Sequence, residues 1–324
     1  MDALVVNGHD RFAGLRLGTV PDPRPEAGEV SIDVAFAGIG LIDARWVTGA
    51  MPSEVGFVPG LEVSGTVREV GAGVSGLTVG QRVAAILPGA GGFATIARTS
   101  ATLVAAIPPG LELDVASIIP VNTVTAHLAL TTVARFAPGE KMLVHAGVGG
   151  LGSQFLQVGR ALGAGHIDAV VGTPVKQEVA LALGYHQAFL RSDLAAIADD
   201  TYDIVVDPVG GEATTTGWRA LRAGGRLVRV GNASQAPDVA VSSTAHWLEN
   251  KTTAGFNVGG WLAADPEQGA TSLRWALEAV ARDDVKVDLT RTGDVDQVAD
   301  LLEAIERGQT TGKLAVRMRS TPNL

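Results

Sequence analysis

The residues whose spacing most plainly suggests chemistry lie in LVHAGVGGLGS (143–153). Gly147, Gly149 and Gly152 stand at G-x-G-x-x-G intervals, after a short apolar run and before a helical pattern that puts Leu151, Phe155, Val158 and Leu162 on one face. Glycines so spaced let the main chain approach a pyrophosphate, while the N–H groups and positive end of the following helix stabilise its charge. In a chain with 41 glycines the spacing alone would equally describe a plain turn. Its place inside a βαβ unit of about 30 residues is what the dinucleotide fingerprint requires. Gly147, Val148, Gly149, Gly150, Leu151 and Gly152 are therefore the candidate cofactor turn. The choice of dinucleotide falls further on, where an NAD site carries Asp or Glu at the end of the second strand to bond the ribose 2'-hydroxyl. Here that strand ends VVGTPVKQE (170–178), with Gly172 and Thr173 where the acid would stand. Thr173 reads as the cap of the next helix, Pro174 as its first residue, and Lys176 as either a solvated charge or a phosphate partner. Both roles can coexist. A capped helix start carrying a lysine is an anion site, so the predicted cofactor is NADP(H).

These residues need strands and helices to hold them. The first third is rich in glycine, valine and proline, and its short runs EVSIDVAFAG (29–38), EVSGTVREV (62–70) and QRVAAIL (81–87) read as β-strands cut by turns. From Val115 apolar residues recur at helical intervals, and a domain boundary is placed near residue 118. Strands and helices then alternate: KMLVHA, the helix after Gly152, HIDAVV, the helix PVKQEVALALG, YDIVVD, a helix around TTTGWRALR, and RLVRVG. Such alternation implies a parallel sheet with helices on both faces, the doubly wound Rossmann architecture, spanning 119–283. Near the end DVDQVADLLEAIERG reads as an amphipathic helix and KLAVRMR as a strand that returns to the first domain, completing 1–118 with 284–324.

Composition narrows the function. With 324 residues, 46% hydrophobic and 18% charged, the chain can bury two cores. A net charge of -9 with no basic cluster argues against nucleic-acid binding. Zero cysteines exclude disulfides, thiolate catalysis, iron–sulfur clusters and cysteine-bound zinc. No signal-like start and no apolar run of roughly 18 residues is present, so a cytoplasmic protein without membrane contact is expected.

The chain resembles the medium-chain dehydrogenase/reductase superfamily, in its zinc-independent quinone oxidoreductase (zeta-crystallin-like) branch. The likeness rests on PGLEVSG (59–65), VGAGVSGLTVGQRV (70–83), TAHLAL (125–130), LVHAGVGGLGS (143–153), YDIVVDPVGG (202–211), GGRLVRVGN (224–232) and TTGKLAV (310–316), whose order and spacing cover nearly the whole sequence. It implies an α/β protein: a GroES-like β-rich substrate domain formed by both chain ends, a Rossmann domain between them, and an active site in the cleft. In the zinc-dependent relatives a cysteine and a histidine bind metal where GIGLID (38–43) and PGLE (59–62) stand here. Gly40 and Leu61 occupy those positions and no metal is expected, with Asp43 and Glu62 read as structural.

The same resemblance supplies further candidates. The branch usually has asparagine where Gly40 stands, and enoyl reductases of the superfamily often have a tyrosine shortly after the glycine matching Gly49. Tyrosine occurs here only at 185 and 202, both inside the Rossmann segment, so that donor is absent. Arg191 falls near the position that faces a 2'-phosphate after the third Rossmann strand. Asn122 and His127 lie where relatives approach the nicotinamide, and either could bond a substrate carbonyl or supply a proton; a helix-start or interface role is the alternative. Trp46 and Phe57 could line an aromatic pocket or simply pack. Asn232, after the RLVRVG strand, could contact the nicotinamide or its ribose.

The implied function is an NADPH-dependent, zinc-free oxidoreductase that passes hydride to a quinone or another α,β-unsaturated carbonyl. The alternatives are an enoyl reductase or tailoring enzyme of a polyketide-type pathway and, in another class, a non-catalytic NADPH-binding sensor. The expected partners are a small-molecule acceptor and a second copy of the chain, paired near the edge strand read in KTTAGFNVGG (251–260).

Overall fold

The computed structural model describes residues 1–318; the last six residues of the 284–324 segment lie outside the described residues. The chain divides into two compact units. The first comprises Met1–Val124, Leu262–Asp283 and Val287–Leu324, and the second Thr125–Trp261 with Asp284–Lys286.

The first unit opens with an antiparallel pair, β1 (Asp2–Val6) and β2 (Leu15–Thr19), followed by β3 (Glu29–Ile39) and helix α1 (Leu41–Val47). Strands β4 (Glu62–Val70), β5 (Arg82–Ile86), β6 (Ile96–Ser100) and β7 (Val104–Ala106) come next, then the short helix α2 (Leu113–Ala116) and the start of α3 (Asn122–Leu128), which passes to the second unit at Thr125 and runs there into a π turn at Ala129–Val133. The long apolar runs of β3 and β4 put Val30, Ile32, Val34, Val63 and Val67 into one core with Phe93.

The second unit is built from β8 (Lys141–His145), α4 (Gly150–Ala161), β9 (His166–Val171), α5 (Pro174–Leu183), β10 (Gln187–Leu190), β11 (Tyr202–Asp207), α6 (Glu212–Ala220), β12 (Leu221–Arg229), α7 (Ser243–Glu249), β13 (Thr252–Gly255) and α8 (Val258–Ala264), whose last turn passes to the first unit. Its six strands pair in parallel in the order β10-β9-β8-β11-β12-β13. Strands β8 and β11 are almost wholly buried, as expected for a parallel sheet covered on both faces. The order reverses between β8 and β11, and in open α/β sheets ligands bind beyond the carboxyl ends of strands at such a switch point.

The chain then returns to the first unit through α9 (Pro266–Ala281), β14 (Leu289–Asp294), α10 (Val298–Glu306) and β15 (Lys313–Arg317). Strand β15 joins β3 antiparallel, so the last strands of the chain enter the sheet begun by β3, in the order β14-β15-β3-β4-β5-β7 with β6 also paired to β3, while β1 and β2 form a separate pair. Against the domain limits read from sequence, 119–124 and 262–283 lie with the first unit rather than the second, and 284–286 with the second rather than the first. The physical reason is packing: Leu273, Ala276 and Leu277 of α9 are buried, and the helix lies against β7 and the short turn before it. Strands β10 and β14 are additions to the elements read from sequence. Both are short or largely exposed, which leaves little apolar pattern to find.

Candidate functional site

The glycine turn sits where the topology puts a ligand. Strand β8 ends at His145, Ala146 adopts the left-handed region at φ 53, and α4 starts at Gly150 with Gly149 as its cap. A glycine cap has no side chain to bond the first helical N–H groups, so those of Gly150, Leu151 and Gly152 remain for a ligand. Val148 is buried beneath the turn. At Gly152 a Cβ would drive into the Ala146 carbonyl and lie 2.8 Å from Gly147 Cα; at Gly147 it would lie 2.7 Å from the Ala169 side chain. The turn closes only with glycine at both places. Such a tight backbone cradle, open at a helix start, fits a pyrophosphate.

The second anchor lies at the next strand end. Thr173 Oγ1 accepts the Lys176 N–H at 3.3 Å and Pro174 occupies the first helical position, so the start of α5 is capped as its sequence dictates. The Arg191 N–H bonds the Val171 carbonyl at 2.8 Å, which brings the arginine alongside Gly172: a Cβ there would be 3.7 Å from Arg191 Nη2. Burial holds the Lys176 pKa below its ordinary value, and the nearby Arg191 charge lowers it further. Two cations thus share one helix start, with glycine and threonine where an NAD site has an acid. That combination suits a phosphate better than a ribose hydroxyl.

Beyond β11 and β12 the structure adds a group that sequence reasoning missed. Asp207, fully buried at the end of β11, accepts the Val209 and Gly210 N–H groups, each at 2.8 Å, and the Thr214 hydroxyl at 2.6 Å. Arg229 Nη1 lies 3.3 Å from the same carboxylate and also donates to Thr214. His145, at the matching end of β8, is held below its usual pKa by burial, which the Asp207 charge opposes. The legible signal was an aspartate closing an apolar strand just before Pro208-Val209-Gly210-Gly211. Asn232 is exposed in the turn after β12, where its amide donates to the Ala236 carbonyl at 3.3 Å and its Oδ1 overhangs Gly210.

In the first unit the residues at the sequence-matched metal positions offer no ligand set. Gly40 and Leu61 have no donor side chains, and the two carboxylates nearby are engaged. Asp43 accepts the Gly40 N–H at 2.8 Å and the Gly60 N–H at 2.9 Å, and burial raises its pKa to about 6. Glu62 pairs with the buried ammonium of Lys313 at 2.5 Å and accepts the Val121 N–H at 2.8 Å. Separating such a buried pair costs about 3–5 kcal/mol. Among the described residues no three His, Asp or Glu side chains gather as a metal site would need.

Trp46 and Phe57 do come together, with ring centroids 5.1 Å apart in an edge-to-face arrangement, both half-buried. Asn122 and His127 are at the two ends of α3, and a separation of five residues puts them roughly 140° apart around the helix. They do not form one site. His127 is half-buried, and its burial lowers its pKa to about 4, so at neutral pH it presents a neutral imidazole.

With that geometry in view, the chain can be set beside known proteins. Residues 26–109 match the alcohol dehydrogenase GroES-like domain family, and residues 178–316 match the zinc-binding dehydrogenase family. The polyketide synthase GfsB of Streptomyces halstedii is 39% identical over 209 residues, which are 64% of this chain and 4% of that protein. The spectinabilin polyketide synthase system protein NorB of Streptomyces orinoci is 30% identical over 93% of this chain and 14% of its own. The chain therefore spans a small part of the length of these curated relatives. The crystal structure of Escherichia coli quinone oxidoreductase, solved as a complex with NADPH, superposes with a TM-score of 0.88 at 21% identity, over 98% of this chain and 100% of that one. The two family matches and the shared fold agree with the elements described above: the chain belongs to the medium-chain dehydrogenase/reductase superfamily, combining a GroES-like unit with a Rossmann-type unit.

Proposed function

We propose that the protein is an NADPH-dependent reductase of conjugated carbonyl compounds, working without a metal. The observation that carries the cofactor is the pairing of Lys176 and Arg191 at the capped start of α5, one strand away from the open glycine turn. The Gly147–Gly152 turn would take the pyrophosphate through the free N–H groups of α4, and Thr173, Lys176 and Arg191 the 2'-phosphate. When bound, the nicotinamide supplies a hydride to an electrophilic carbon of the acceptor. The Asp207 carboxylate shapes the 208–211 turn at the neighbouring strand end, and Asn232, whose Oδ1 overhangs Gly210 of that turn, is the candidate for a contact with the ribose or nicotinamide. Asn122 is the candidate for a hydrogen bond to the acceptor's oxygen; His127, neutral by burial, could donate an N–H but carries no extra proton at pH 7. Trp46 and Phe57 offer an aromatic surface for a flat acceptor.

A quinone is the first acceptor class. A second, the α,β-unsaturated thioester of a polyketide-type pathway, is favoured by the polyketide synthases among the relatives, one of which matches along nearly the whole of this chain. Zinc has no place in either scheme, because the donor set at Gly40 and Leu61 cannot hold it. The protein is taken to act in the cytoplasm; among the described residues no helix is long and apolar enough to cross a membrane.

The test is an acceptor screen with NADPH labelled by deuterium at the transferred position. Quinones, enones and enoyl thioesters are offered separately, with and without a chelator. Label should appear in the reduced product of one class at a rate the chelator leaves unchanged. Loss of turnover in chelator, restored by zinc, would overturn the metal-free reading.

A further inference from the structure

Tyr185 lies outside every role assigned so far, yet it contacts both ends of the glycine turn. It follows Gly184, the left-handed residue (φ 105) that ends α5, and its N–H bonds back to the Ala180 carbonyl at 3.1 Å. That exit turns the ring inward, where only 3% of the residue's surface stays exposed. Its hydroxyl oxygen is 2.9 Å from the Gly147 carbonyl and 2.9 Å from the Gly152 carbonyl, residues 38 and 33 positions earlier in the chain. Burial keeps the phenol protonated by pushing its pKa well above the ordinary value. A Cβ on Gly147 would come within 3.1 Å of the phenol Cζ and oxygen, so the turn rests directly on this ring.

The two carbonyls are unequal. Gly152 is inside α4, where its carbonyl has the helical acceptor role, but Gly147 precedes the helix. Among the described residues no backbone N–H bonds the Gly147 carbonyl, which leaves the tyrosine as its donor. Glycine-rich backbone has many conformations to lose, and a donor fixed by the core selects one of them.

We propose that Tyr185 is a positioning residue for the cofactor: its buried hydroxyl donates its one proton to the Gly147 carbonyl, beside the Gly152 carbonyl, and so holds the turn in the shape that presents the first N–H groups of α4 to the pyrophosphate. The proposal rests on the reading of 147–152 as a dinucleotide site. Because the pyrophosphate is common to NADPH and NADH, the tyrosine should serve both cofactors equally. Lys176, by contrast, should serve only the phosphorylated one.

The test is Tyr185→Phe, which keeps the ring and removes the oxygen. Dissociation constants for NADPH and NADH are read from nicotinamide fluorescence, and hydrogen–deuterium exchange of the peptides covering 146–153 is followed without cofactor. Both constants should rise by about threefold to tenfold, as expected for one lost hydrogen bond, with their ratio unchanged. Exchange should quicken in 146–153 and stay as it was elsewhere. Unchanged constants in a folded variant would overturn the proposal, as would exchange that quickens uniformly along the chain, since either marks a ring that only fills the core. If the variant is too unstable for titration, exchange in the cofactor-free wild type decides: 146–153 should be slower than the other glycine-rich turns, and equal rates would refute the tie. A wild type that binds neither cofactor would remove the dinucleotide reading itself, while the exchange result still reports on the tie.

Discussion

At the scale of single residues, burial decides which groups can act. His127 illustrates this, since nothing in TAHLAL says whether its imidazole is charged. Its half-buried place on α3 lowers its pKa to about 4, against an unfolded value near 6.5. A depressed histidine pKa contributes stability that is complete above about pH 6.5 and is lost as pH falls through about 4, because the unfolded chain then binds the proton more readily. Asp43 has the opposite sign: its pKa, raised to about 6 by burial, contributes stability at low pH that fades as pH rises through about 6. Comparing wild type with His127→Gln isolates the histidine, because Asp43 titrates in both. The wild-type melting temperature should fall more steeply between pH 7 and pH 4.5 than that of the variant, as followed by circular dichroism. Parallel curves would show that the imidazole is not kept neutral by the fold.

At the scale of elements, strand β13 is the exposed margin of the parallel sheet. It pairs with β12 on one side only, and it is preceded by α7, where Trp247 is 76% exposed and Leu248 is 65% exposed. An open edge beside a large apolar surface invites pairing with a second chain. We therefore propose a homodimer through this margin. A native mass of two chains at micromolar concentration is expected, shifting toward one chain in Trp247→Glu; a wild type that stays monomeric would refute it. The edge position of Thr252–Gly255, within 251–260, could be read in advance because KTTAGF follows the last of the four strands read in a regular alternation. Strand β10 escaped that reading. Its four residues QAFL carry one buried side chain, too little for a period to show.

At the scale of the whole molecule, the sequence was most informative where chemistry depends on backbone. The glycine turn, the Thr173 cap and the Pro174 start are local rules, and each holds in the structure as the sequence implies. The return of the chain end to the first sheet was legible in KLAVRMR, and β15 does pair with β3. What stayed hidden were contacts between residues far apart in sequence. The Glu62–Lys313 ion pair spans 251 positions, and the hold of Tyr185 on the turn crosses from the end of α5. Tyr185 had no reason to stand out in LALGYHQAFL, since only the folded ring meets Gly147. The side chains proposed to meet the acceptor, Asn122, His127, Trp46 and Phe57, belong to no local rule, and only the family resemblance singled them out in the sequence. The central claim, that this chain is built around NADPH, is tested most directly by four dissociation constants: NADPH and NADH, each with wild type and Lys176→Ala. A hydrogen bond to a charged group is worth roughly 1.5–3 kcal/mol, so the substitution should weaken NADPH on the order of tenfold to a hundredfold and leave NADH nearly unchanged, from a wild type that prefers NADPH. Equal losses for both cofactors, or a wild type that prefers NADH, would contradict it.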